Sequence, residues 1–168
     1  MSQTEGKELP EFAAIVGEPG EQLERLERLI AQTGIELTFE DIPGGALGCS
    51  SVGKIRIRPA LTPAETFTVL VHELAHERLH DKARRKEAPK TVLETEAEAV
   101  AFVVDRALGL ESSTRSSDYI QLYAGNKEVL LESLDRIQST ATWILTNLES
   151  LNDEKEVAHD RASSACHA

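Results

Sequence analysis

Two histidines four residues apart, with a glutamate directly after the first, are the residues whose types and spacing point to chemistry: His72-Glu73-Leu74-Ala75-His76. On a helix such histidines lie one turn apart on one face, with a rise of roughly 6 Å. Two imidazoles so placed can share one Zn²⁺ at about 2.0–2.1 Å each. Glu73 then stands where its carboxylate can reach a metal-held water and act as general base in a hydrolysis. Surface histidines on an ordinary amphipathic helix are the plainer use of the same pattern. A third histidine, His80, follows at i+8. It lies about 12 Å along a helix from His72, too far for both to touch one ion. His80 is therefore expected at the core edge or behind a ligand.

The third ligand has to come from another element. The next helical pattern opens at Thr91, runs to about Gly109, and carries Glu94, Glu96 and Glu98. Glu94 and Glu98 share a face, and Glu96 points roughly 160–200° away from each. Glu94 is the expected metal ligand, with Glu98 one turn later aimed at a ligand histidine's N–H. Glu98 is also the competitor for the ligand position. Thr91-x-x-Glu94 has an ordinary use as well, as a capping box that needs no metal. Ala97 and Ala101 are small and would let this helix approach the histidine helix closely. Further on, Ser116-Ser117-Asp118 can cap a short helix carrying Tyr119 and Tyr123. Either phenol is a candidate to donate a hydrogen bond to a tetrahedral oxyanion, with packing as the alternative use.

These residues need a scaffold. Thr62-Pro63-Ala64-Glu65 reads as a capping box with proline at the first helical position. Phe67, Leu70, Val71, Leu74 and Ala75 then make an apolar stripe at helical spacing. Upstream, 20–34 reads as a helix with Leu23, Leu26, Leu29 and Ile30 on one face and Gly34 as its stop. Ile35-Glu36-Leu37-Thr38-Phe39 alternates as a strand. The glycine-rich run 44–49 lacks the lysine and spacing of a phosphate loop, and reads as a turn. Lys54-Ile55-Arg56-Ile57-Arg58 alternates apolar and cationic residues and ends at Pro59, which suits a strand at a sheet edge. Its two uses are ordinary packing and pairing with an extended substrate backbone. The basic run 81–90 reads as a solvated connector. In 127–151, Leu130, Leu134, Ile137, Ala141, Ile144, Leu148 and Leu151 form a heptad-like seam, for packing within the domain or for self-association through this C-terminal helix. Trp143 is expected beside it, partly buried.

The chain of 168 residues is long enough for one cored domain, carries 29 acidic against 18 basic residues, and has a net charge of −11. Such a surface is a poor grip for a phosphate backbone, so nucleic acid is not an expected partner. The first residues have no basic segment followed by an apolar run, and no apolar run approaches membrane-spanning length. Two cysteines, Cys49 and Cys166, make no disulfide framework. A cytoplasmic location is the simplest expectation. The organisation reads as a flexible lead-in over 1–19, one domain over 20–151 and a disordered polar tail over 152–168.

With both helices placed, the chain resembles the ImmA/IrrE-like zinc metallopeptidases, especially the metallopeptidase domain of ArdC-type antirestriction proteins. The matching text is His72-Glu73-Leu74-Ala75-His76-Glu77-Arg78-Leu79-His80 and Glu94-Thr95-Glu96-Ala97-Glu98-Ala99-Val100-Ala101-Phe102, with Leu108-Gly109-Leu110 and Tyr119-Ile120 beyond. The resemblance implies His72, His76 and Glu94 as ligands of one Zn²⁺ per chain, with Glu73 as base. It also implies a gluzincin-like α+β fold: a small mixed sheet packed on the histidine helix, a second Glu-bearing helix, and a long C-terminal helix. Two positions depart from the pattern. Glu98 stands where ImmA-type members usually carry Asn, and Glu77 is charged where zincin helices generally are not. The chain has no room for the single-strand-binding region of ArdC-type proteins. The expected function is a zinc-dependent endopeptidase acting on a regulatory protein such as a repressor, in a phage or mobile-element setting. The alternative is a non-enzymatic, zinc-stabilised binding or antirestriction module that uses its acidic surface.

Overall fold

The helix that carries the histidines starts at a reciprocal cap. In the computed structural model, which describes residues 15–111 and 127–165, the Thr62 hydroxyl accepts from the Glu65 N–H at 3.3 Å. The Glu65 carboxylate accepts in return from the Thr62 N–H at 2.8 Å, and Pro63 fills the first helical position. Two of the backbone donors that a helix start leaves open are so satisfied.

From this cap α2 runs Pro63–Leu79. It follows α1 (Gln22–Gln32), β1 (Glu36–Phe39), a 3-10 turn (Pro43–Gly45), β2 (Gly48–Ser51) and β3 (Lys54–Ile57). It precedes a single-turn α3 (Arg84–Glu87), α4 (Lys90–Ala107) and α5 (Lys127–Ala165). The result is a mixed α+β fold with a three-stranded sheet and five helices among the described residues.

The sequence suggested that α2 has one apolar stripe. Instead, ten residues between Ala64 and His76 are buried, and only the strip through Glu65, Thr68 and His72 stays partly open. α1, α4, α5 and the sheet all pack against it. A helix buried over most of its circumference is a core element rather than a surface one. Phe67, Leu70, Val71, Leu74 and Ala75 are wholly buried with Leu26, Ile30, Ile55, Ile57, Ala97, Val100, Ile144 and Leu148. Ala97 and Ala101 of α4 are buried at the contact with α2, as their small size suggested.

The sheet corrects one expectation. Its order is β1-β3-β2, with β3 parallel to β1 and antiparallel to β2. The Lys54–Ile57 strand is central, so both its edges are occupied and it cannot pair with a peptide. Two local features put it there. A two-residue turn, Val52-Gly53, folds β2 back onto one edge, with Gly53 at φ +83°, a conformation glycine adopts without strain. On the other side Lys54 reaches Glu36 at 3.1 Å and Arg56 reaches Glu40 at 3.6 Å, while Ile55 and Ile57 are wholly buried.

The last helix is longer than its seam suggested. Its backbone stays helical to Ala165, through most of the stretch expected to be disordered, because no Gly or Pro interrupts 127–165. Ile137, Ala141, Ile144, Leu148 and Leu151 are buried in the chain's own core, while Leu134 is 43 % exposed and Ser133 is buried instead. Trp143 is partly buried, with the Arg78 guanidinium 3.5 Å over its ring. Of the lead-in, Val16 pairs through its backbone with Glu111 at 2.8 and 3.0 Å. No helix among the described residues is long and apolar enough to cross a membrane.

Thr62→Ala removes one half of the reciprocal cap and leaves the core untouched. It is expected to lower stability by about 1 kcal/mol, read as a lower urea midpoint with an unchanged denaturant slope.

Candidate metal centre

The helical spacing brings His72 and His76 together as it should. Their Nε2 atoms lie 3.1 Å apart, and Glu94 Oε2, from α4, lies 3.5 Å from each. Ligand atoms about 2.0–2.1 Å from a tetrahedral ion stand about 3.3–3.4 Å from one another. The three observed separations bracket that value, so the side chains present fit a metal ion without rearrangement. His72, His76 and Glu94 form a group that could hold one. Side-chain exposure rises from 11 % at His76 to 26 % at His72 and 47 % at Glu94, leaving an open side for a further ligand. Hydrogen bonding to the two imidazoles holds the Glu94 carboxyl well below its ordinary range.

The competing use of Glu94 is not realised. α4 begins at Lys90 after Pro89, with no side-chain cap, so Thr91 and Glu94 close no capping box. The Thr91 carbonyl accepts from the Thr95 hydroxyl instead. Glu98 is exposed on the same helix. Tyr119 and Tyr123 lie outside the described residues.

Glu73 is buried beside the group, at 7 % exposure. Burial raises its pKa, opposed by His72, His76 and a hydrogen bond with the Ser50 side chain. β2 passes so close that a Cβ on Gly48 would lie 2.7 Å from Glu73 Oε1 and 2.5 Å from Val69 Cγ1. Only glycine lets the strand and the carboxylate share this space.

Behind His76 lies a second group that the sequence reading did not assemble. His76 Nδ1 is 2.9 Å from His80 Nδ1, and His80 Nε2 is 2.9 Å from Glu96 Oε2. Glu96 Oε1 accepts from Arg84 at 2.6 Å and from the Ser133 hydroxyl of α5. His80 is 1 % exposed and Glu96 fully buried. His80 was expected behind a ligand and is there. Glu96 does point away from the Glu94 face, but into the core, so Glu94 faces His76 Nε2 directly while Glu96 holds His80, the ring that meets His76 Nδ1. The available signal was His80 itself, a polar ring due for burial and needing a partner. Burial would raise Glu96, yet hydrogen bonds from His80, Arg84 and Ser133 bring it down to about 2. Burial lowers His80, against the pull of Glu96. The pair is therefore a neutral imidazole on an ionised carboxylate whose charge Arg84 balances.

The basic run is no solvated connector. Arg85 donates to Glu77 Oε1 at 2.7 Å, to the carbonyls of His80 at 2.8 Å and His76 at 3.2 Å, and to Ser50 O at 3.2 Å. It caps the C-terminal carbonyls of α2, where a cation is favoured. Glu77 is explained by the same contact: its second oxygen accepts from the Gly53 N–H at 2.7 Å, and its side chain is 6 % exposed.

Comparison with protein-family models, with curated proteins and with solved structures found no match to this chain.

Two outcomes are expected. Gly48→Ala must displace Glu73 or β2, destabilising by about 1–3 kcal/mol, measured by urea unfolding of the metal-free protein. Acidification should lower the thermal midpoint in two stages. His80, depressed from 6.5, contributes stability that is lost as pH falls below about 6.5. Glu96, held at about 2 against 4.5, contributes stability that is lost as pH falls from about 4.5 towards 2. Glu94, held well below its ordinary range, adds to the second stage, so Glu96→Gln should shrink that stage without removing it. Glu73, raised, gives stability back as pH falls towards 4.5 and so opposes the first.

Proposed function

We propose that the protein is a zinc-dependent endopeptidase. The observation that carries this is the trio of ligand atoms at 3.1–3.5 Å from one another, with the buried, raised carboxylate of Glu73 alongside. Two imidazoles, one carboxylate and an open side are the donor set of hydrolytic zinc sites, whereas structural zinc sites are closed by four protein ligands. A divalent ion in this group supplies Lewis acidity, easing the ionisation of water and polarising a carbonyl oxygen.

Glu73 does the proton work. Its raised affinity for a proton suits it to take one from the attacking water and to give it to the departing amine. Ser50 and the close backbone of Gly48 hold the carboxylate in place. β2 is an edge strand packed on α2, so an extended peptide paired along it would run beside Glu73. The resemblance to ImmA/IrrE-like metallopeptidases suggests a regulatory protein, such as a repressor, as substrate. A non-enzymatic metal-stabilised module is the rival reading, and a buried base beside an open site speaks against it.

Elemental analysis tests the site: about one zinc per wild-type chain, and little in His76→Ala or Glu94→Ala. Glu73→Gln should keep the zinc and the fold but reduce cleavage of a labelled unstructured protein such as casein by at least 100-fold. Unchanged cleavage by this variant would remove Glu73 as the base. A wild type that takes up no zinc after reconstitution would remove the peptidase reading altogether.

A further inference from the structure

The two faces of the sheet differ in chemistry. Ile55 and Ile57 are wholly buried on the face that meets α2, and Gly48 and Ser50 of β2 turn to Glu73 on that same face. Alternation sends the intervening side chains to the other face. The register sets them out in rows: Glu36, Lys54 and Ser51 in one, Thr38, Arg56 and Cys49 in the next. On this face β1 is acidic, with Glu40 following it, β3 is cationic, and β2 is small and neutral. The acids engage the cations from the β1 side alone, Glu36 with Lys54 at 3.1 Å and Glu40 with Arg56 at 3.6 Å. The other contact of Arg56 is Cys49 Sγ at 3.4 Å, a weak acceptor. One long ion pair and one sulfur therefore hold a guanidinium whose side chain is 33 % exposed. The sulfur contact also shows where it lies: across β2, towards the edge that the order β1-β3-β2 leaves open.

A strand added to β2 runs two strand spacings, about 10 Å, from β3. Its residue opposite Cys49 points to the same face as Cys49, where cross-strand neighbours of opposite charge stabilise a sheet. A guanidinium already over Cys49 has only the remaining spacing to cross. We infer that Arg56 is a specificity-determining residue: the free edge of β2 takes an extended segment with a glutamate or aspartate opposite Cys49, held by the Arg56 guanidinium. Lys54, in the row of Ser51, favours a second acid two residues along. Gly48 and Ser50 flank Cys49 and both lie against Glu73, so the neighbours of the first acid point to the Glu73 side. The acid is then close in sequence to the bond to be cut. Docking is a property of the edge itself, whereas its use in choosing a substrate rests on the peptidase reading above. A chain of net charge −11 repels acidic peptides in general, so a preference for one is the reverse of what the whole surface would give.

Two octapeptides, one alternating Thr and Glu and one alternating Thr and Gln, test the edge in the metal-free protein. In ¹⁵N NMR titrations the Thr/Glu peptide is expected to shift the β2 amides and to bind roughly 3–10-fold tighter than the Thr/Gln peptide. High salt should shrink that ratio. Arg56→Gln should abolish it, Arg56→Lys should keep part of it, and Arg56→Glu should turn the preference to a Thr/Lys peptide. A purely structural role for Arg56 would not make the preference follow the charge. Circular dichroism checks the fold of each variant, and the wild-type comparison of the two peptides needs no variant at all. Equal binding, tighter binding of the Thr/Gln peptide, or shifts confined to other elements overturns the inference, whether or not the protein cleaves casein. With zinc bound, cleavage of a mixed peptide library should show Glu or Asp enriched at one fixed position near the cut bond, and Arg56→Gln should lose the enrichment but still cut. Cleavage without enrichment overturns the inference and leaves the peptidase standing. Preferential binding of the Thr/Glu peptide at β2 without any cleavage removes the peptidase reading and leaves the role of Arg56 intact.

Discussion

The molecule is governed by a conflict within one helix. α2 is buried over most of its circumference and yet carries His72, Glu73, His76 and Glu77, with His80 at its C-cap, groups that water would otherwise solvate. A buried polar group is costly unless its hydrogen bonds are met, and a buried charge more so. Much of the surrounding structure answers that demand. Arg85 and the Gly53 amide meet Glu77, Ser50 meets Glu73, and Glu96 with Arg84 and Ser133 meets His80. Two residues of the single-turn α3 supply both cations, which is why so short an element matters.

Part of this was legible in the sequence because it depends on local spacing. The i, i+4 histidines, the Thr62–Glu65 cap, the α1 face with its Gly34 stop and the small face of α4 are properties of short segments. The rest depends on which segments meet. The alternation of 54–58 defines a strand with two unlike faces, but its central place follows from the Val52-Gly53 turn on one side and β1 on the other. Arg84 and Arg85 looked like a solvated run because nothing in 81–90 tells which carboxylates lie above it. A helical wheel put Glu96 opposite Glu94 correctly. It could not tell that the opposite side of α4 faces His80 and α5.

Gly48 and Ser133 were invisible for a related reason. Glycine in a turn-rich stretch reads as chain reversal, while its actual role is to be thin where β2 crosses Glu73. Ser133 interrupts the expected α5 seam by one residue, taking the buried position while Leu134 faces out. The seam is apolar where it packs on the core from Ile137 to Leu151, and polar where it meets the Glu96 carboxylate.

The gradient of exposure across the three ligand side chains has a kinetic consequence. His76 is anchored on its far nitrogen and nearly sealed, whereas Glu94 sits at the rim with half its side chain in water. Side chains at the surface change rotamer far faster than packed ones. For an ion held by this group traffic would be one-sided: on arrival it would meet Glu94 first, and on departure it would lose Glu94 first. Exchange would then be paced by one carboxylate at the rim of α4, with the packed His76 imidazole as the fixed end of the site.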